Sequence, residues 1–189
     1  PLKECNFTLS SKGNIHGEGN YAAFDAEIGS LLFKGHRYTP IKARGNINRQ
    51  QAKINISTKG ENLDVNAQIA FQNRQKTIAE ANIEVAAFNP HALNLCEAFP
   101  QDTFSFSLES KYAQGKELKI EFDNFVHANS TGKEKVKKFF ISDNITNGQH
   151  NISLHSDFIN GNIVGVLNYN ELINSFLYPL GKHLPTAGV

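Results

Sequence analysis

From Leu63 to Phe71 every second residue is apolar: Leu63, Val65, Ala67, Ile69 and Phe71 alternate with Asp64, Asn66, Gln68 and Ala70. Successive side chains of an extended strand point to opposite faces, so a period of two predicts a half-buried strand. The same period recurs along most of the chain. It runs through Cys5, Phe7 and Leu9, through Phe24, Ala26 and Ile28, and through Ile41, Ala43, Gly45 and Ile47. It continues in Ala52, Ile54 and Ile56, then Ala79, Ala81, Ile83 and Val85, then Phe104, Phe106 and Leu108, and finally Leu118, Ile120 and Phe122. Turn formers separate the runs: "SKGN", "STKGEN", "FQNRQK", "YAQGKE", "ITNGQ" and "INGN". Turns spaced roughly 8–12 residues apart are those of an all-β meander. One apolar and one polar face per strand suits antiparallel sheet, and the absence of βαβ alternation argues against a doubly wound α/β enzyme.

Two stretches break the period. In "FNPHALNL" (88–95) Asn89 stands at a capping position and Pro90 at a first helical position, which predicts one short helical turn. In "YNELINSFLYPLGKHLP" (169–185) Leu172, Ile173, Phe176, Leu177 and Leu180 follow helical spacing, with Pro179 ending or kinking the helix. The expected organisation is a single β-rich segment over 1–189. It comprises a first meander at 1–95, a second at 103–168 and one C-terminal amphipathic helix at 169–185. Whether the sheet curls into a U or folds into a sandwich, the fold class is mainly β.

Composition removes several functions. The chain has 19 basic and 18 acidic residues, a net charge of +1, and so no electrostatic case for nucleic acid. No apolar run approaches the ~20 residues of a membrane-spanning helix, and "PLKECNFTLS" lacks the apolar region of a signal peptide. An outer-membrane barrel is disfavoured because most runs look shorter than its ~10-residue strands and no aromatic girdles stand out. Methionine is absent even at position 1, which suggests an excerpt of a longer protein. Cys5 and Cys96 are too sparse for a disulfide framework, leaving two half-buried thiols or one bridge.

The motifs that could carry chemistry each fail on geometry. His155, Ser156 and Asp157 are the residue types of a hydrolytic triad, but on a strand Ser156 faces away from its two neighbours. The following Asn160-Gly161 predicts a type I′ hairpin turn, with the strand resuming at Asn162–Tyr169. Gly17-Glu18-Gly19-Asn20-Tyr21-Ala22 fits a dinucleotide fingerprint, yet strand alternation follows it instead of a helix, and no ribose-binding acid lies in "LLFKGHRY". The histidines (His16, His36, His91, His127, His150, His155 and His183) show no metal-site spacing, so neither metal nor cofactor is expected. "TGKEKVKKFF" (131–140) carries four lysines in eight positions; a solvated loop or a charged edge strand accounts for it, and lipid headgroups are the functional alternative. No enzymatic activity is expected.

The C-terminal part, "NISLHSDFINGNIVGVLNYNELINSFLYPLGKHLP", resembles the TamB and AsmA-like proteins of Bacteroidetes: a strand ending in Ser-Asp, a turn, a Gly-bearing strand ending in Tyr, then a helix ending near Leu-Pro. "TIAEANIEVAAFNPHALNL" is similar to that family's strand followed by a short turn and a Leu-Asn-Leu end. The resemblance implies an internal piece of a long periplasmic protein, anchored in the inner membrane by an N-terminal helix outside this chain. It implies a twisted, U-shaped sheet with an apolar groove, and roles in outer-membrane assembly and phospholipid transport. Contacts with an outer-membrane assembly protein would be made by other parts of the parent chain.

Leu63, Val65, Ile69, Phe71, Ile83, Val85, Phe104, Phe106, Ile120 and Phe122 are the candidate groove residues, expected to line one continuous concave face and to contact phospholipid acyl chains. The rival is a self-contained β-sandwich that binds a glycan or protein at an edge and buries both inner faces.

Overall fold

The computed structural model describes residues 2–14, 20–38, 40–73, 76–95, 97 and 102–168. They form β1 (Leu2–Asn14), β2 (Tyr21–Phe33), β3 (His36–Tyr38), β4 (Ile41–Asn48), β5 (Gln51–Lys59), β6 (Leu63–Asn73), β7 (Thr77–Phe88), β8 (Thr103–Ala113), β9 (Glu117–Asn129), β10 (Gly132–Thr146), β11 (Gln149–Ser156) and β12 (Asn160–Gly165). All belong to one antiparallel sheet in the order β1-β2-β4-β5-β6-β7-β8-β9-β10-β11-β12, with the short β3 pairing β2 off this path. The fold is an open meander. Because β7 pairs β8, the two predicted meanders join as one sheet.

The sandwich form is not adopted: among the described residues no second sheet faces this one, and strands pack only on their hydrogen-bonded neighbours. The reason is local. Most connections are tight hairpins, which set each strand beside its predecessor, whereas a sandwich needs long connections that cross between layers. Strands are also longer than the alternation suggested, with 15 residues in β10 and 13 each in β1, β2 and β9. Short strands therefore do not argue against a barrel; the sheet is open because, among the described residues, β1 and β12 are its two ends. No helix among the described residues is long and apolar enough to cross a membrane. The helix expected at 169–185 lies outside the described residues.

The turns show which local signals act. Asn147 (φ 51°) and Gly148 (φ 77°) both take the left-handed conformation of a type I′ turn between β10 and β11. Asn160-Gly161, expected to do the same, does not: both residues lie inside β12, and neither has positive φ. The β11–β12 turn comes earlier. There Ser156 Oγ accepts the N–H of Ile159 at 2.9 Å and of Phe158 at 3.3 Å, while Ser156 N–H donates to the Ile159 carbonyl at 2.9 Å. A serine hydroxyl that mimics a backbone turn has displaced the Asn-Gly signal. Gly148→Val should therefore cost about 1–2 kcal/mol, because a β-branched residue is strained at positive φ. A Cβ at Gly161 meets nothing within 4 Å, so Gly161→Val should leave the urea midpoint unchanged or slightly raised. Equal midpoints for the two variants would refute this assignment.

The predicted turn at 88–95 is present. Asn89 Oδ1 caps the Ala92 N–H at 2.9 Å, and Leu93 N–H donates to the Asn89 carbonyl at 3.1 Å. The turn ends with Asn94 in the left-handed region (φ 55°), with bonds from Leu95 N–H to Pro90 O and from Asn94 N–H to His91 O. That pairing is a Schellman ending. The turn folds back to the β2–β3 hairpin: Tyr38 Oη donates to the Leu93 carbonyl at 3.0 Å and Asn94 Nδ2 to the Lys34 carbonyl at 3.0 Å. Leu93 is only 1% exposed beneath it.

Candidate functional site

Paired residues of neighbouring strands share a face, so the register fixes what each face carries. One line runs Leu9, Ala26, Ala43, Ile56, Ala67, Ile83, Leu108, Phe122, Phe139. A second runs Phe24, Gly45, Ile54, Ile69, Ala81, Ser110, Ile120, Ile141, Leu154. The flanking lines hold Val65, Val85 and Phe106 on one side, and Ala52, Phe71, Ala79 and Tyr112 on the other. Leu63 pairs Phe88, which pairs Phe104. All ten candidate residues therefore stand on one face.

This face is only partly covered by its own side chains. Ala67, Val85, Leu93 and Ile152 are the buried apolar residues among those described, whereas Ile69 and Phe71 remain 37% and 39% exposed. Gly45 marks a close approach on this face: a Cβ there would stand 2.6 Å from the Lys53 carbonyl and 2.7 Å from the Phe24 ring. The aromatic ring therefore lies across the glycine.

Sequence alternation missed part of the face. Phe88, Phe104, Phe125, Phe106, Phe122 and Phe139 form a chain of rings with successive centroids 5.8 to 6.5 Å apart. Phe125 lies an odd number of positions from Phe122, so strict alternation assigns it to the polar face. A bulge at Asn124 (φ 53°) inserts one residue and returns Phe125 to the apolar side. An asparagine, which tolerates the left-handed region, was the available signal.

Two His–Asp pairs also lie on this face. His127 stacks on Phe104 at 5.1 Å, its Nε2 sits 2.8 Å from Asp102 Oδ1, and its Nδ1 lies 3.7 Å from Glu134. The hydrogen bond to Asp102, followed by the weaker attraction of Glu134, holds the His127 imidazole above its ordinary pKa despite partial burial. Together with Phe104, Phe125 and Val136, His127 and Glu134 line a hollow of about 210 Å³. The second pair is Asp143, 1% exposed, whose Oδ2 lies 2.5 Å from His150 Nδ1. Across β10 from Asp143 stand Leu118 and Ile152.

The opposite face carries charge. Asp25 pairs with Arg44 at 2.7 Å, Glu27 with Lys42 at 3.7 Å, and Glu117 with Lys111 and Lys119 at 3.1 and 3.2 Å. Lys138 pairs with Glu121, and Glu4 with Arg37 at 3.0 Å. The lysine bonds hold the Glu117 carboxyl below its ordinary value, and Arg37 does the same to Glu4. These pairs are mostly solvated and screened, so they add little to stability and their effect is to keep this face wet.

The three triad-type residues are each engaged elsewhere: His155 Nδ1 with Asn160 Oδ1 at 2.8 Å, Ser156 Oγ with the 158–159 backbone, and Asp157 Oδ2 with the Lys137 N–H at 2.7 Å. Cys5 is a free and exposed thiol, not the half-buried one expected, because its strand is the sheet edge. Cys96 lies outside the described residues. Among the described residues no group of three or more His, Cys, Asp or Glu could hold a metal ion. The chain matches no protein-family model, no curated protein and no solved structure.

Proposed function

We propose that this chain is an internal segment of a TamB/AsmA-like protein of the periplasm, and that its apolar sheet face receives phospholipid acyl chains. The parent protein would be anchored in the inner membrane and serve outer-membrane assembly and phospholipid transport, meeting an assembly partner through its other parts. One observation carries the reading: the apolar lines cross successive strands without a second sheet over them among the described residues, while the reverse face is charged. Eleven strands at a spacing of about 4.8 Å extend such a face across roughly 50 Å. An exposed apolar patch of that size is a binding surface by its energetics. Extended hydrocarbon suits it, because affinity there grows by roughly 0.8 kcal/mol per buried CH₂ and needs no directional partner.

The test is photo-crosslinking in the full-length protein. Crosslinkers at Ile69 and Phe106 should capture phospholipid, and those at Asn66 and Ser105 on the charged face should not. Equal capture from both faces, or none from either with the β spectrum intact, refutes the reading.

A further inference from the structure

The β11–β12 hairpin ends in two uncovered apolar side chains: Phe158 is 72% exposed and Ile159 46%. The serine-built turn places them there, since Ser156 Oγ takes both of their N–H groups and leaves Phe158 at the apex. The apex is tied to the neighbouring strand, where Asp157 Oδ2 accepts the Lys137 N–H. Lys137 belongs to the stretch Gly132–Lys138 of β10, which pairs with β9 but meets β11 only from Phe139 onward. Among the described residues the lysine-rich stretch is therefore a local open edge, although β10 is an interior strand of the sheet.

Its lysines are not equivalent. Lys138 is held by Glu121, with Asp123 and Glu109 also close enough to act on it. Lys133 stands opposite Ala128 and then Thr103, and Lys135 opposite Val126 and then Ser105. No carboxylate stands in either line, unlike the ion-paired lines over the rest of that face. Glu134 turns to the other side, toward His127. This corner thus joins an apolar apex to exposed cations.

We propose that this corner docks on an anionic lipid surface, with Phe158 and Ile159 entering the boundary between headgroups and acyl chains and Lys133, Lys135 and Lys137 meeting lipid phosphates. An inserted aromatic side chain beside lysines is the combination that gives reversible, salt-sensitive attachment to such surfaces. Either component alone gives marginal binding, and here the Asp157–Lys137 bond holds the two together. The proposal stands on residues separate from the apolar face, so the two readings fail separately.

Vesicles of phosphatidylcholine alone, and of phosphatidylcholine with phosphatidylglycerol, test it by co-sedimentation with the full chain. Association is expected with the anionic vesicles, weakening with salt. Lys133→Gln and Lys135→Gln should each weaken it about fivefold, and Phe158→Ser about tenfold. The chain has no tryptophan, so Phe158→Trp gives a single reporter whose emission should shift to the blue on binding. All these positions are exposed, and an unchanged β spectrum verifies the fold. Lys53→Gln, which removes an exposed lysine of β5 outside this corner, should not alter this binding. The proposal is overturned by equal binding to both vesicle types, by none to the anionic ones, or by full binding of Phe158→Ser.

Discussion

Asp143→Ala should lower the stability of the sheet by about 2–4 kcal/mol, the cost of leaving two buried donors without their acceptor. Asp143 Oδ2 faces His150 Nδ1 and its Oδ1 accepts the Asn151 N–H at 3.2 Å, so alanine removes the acceptor from both. Little water is available to replace it, because Asp143 is 1% exposed and the His150 side chain 13%. Asp143→Asn keeps one acceptor oxygen and should cost less than the alanine variant. Asp123→Asn, on the charged face, should change the stability by no more than about 0.5 kcal/mol and so barely move the urea midpoint. A midpoint for Asp143→Ala equal to that of Asp123→Asn would show that the buried pair contributes nothing.

The same residue shows where sequence reading stops. Asp143 keeps step with Phe139 and Ile141 and so belongs to the apolar face by parity alone. Nothing in "ISDNIT" reveals a buried carboxyl, because its partner His150 arrives only when the Asn147-Gly148 turn folds β11 back. Parity was enough to bring Val65, Val85, Ile69 and Ile83 to one side, since hairpins preserve the period from strand to strand. It failed at Phe125, where a bulge resets the count.

Turn chemistry was legible only in part. Asn-Gly occurs at 147–148 and again at 160–161, with the same local propensity, yet only the first pair bends. At the second site Ser156 competes four residues upstream of Asn160 and closes the turn sooner, while the Asn160 side chain bonds His155. The difference moves Phe158 from a strand position to an exposed apex. For the 89–95 turn, Asn89 and Pro90 announced the start, whereas the contact of Leu93 with Tyr38, 55 residues away, needed the folded sheet.

Ile69→Asp should abolish most acyl capture while leaving the sheet folded. Ile69 stands between Ile54 and Ala81 in the middle of the apolar face, and 37% of it is exposed. Without lipid, a carboxylate there keeps much of its water, so the loss of stability should be modest, about 1 kcal/mol. With an acyl chain laid across it, the carboxylate must shed that water with no cation or donor to replace it, at a cost of several kcal/mol. Each 1.4 kcal/mol is about a factor of ten in affinity. Phospholipid captured from a crosslinker at Phe106 should therefore fall by about tenfold or more, with an unchanged urea midpoint slope. Asn66→Asp, the same charge on the reverse face, should leave capture unaltered. Undiminished capture in Ile69→Asp would mean that the chains do not lie on this face, whatever else the parent protein carries.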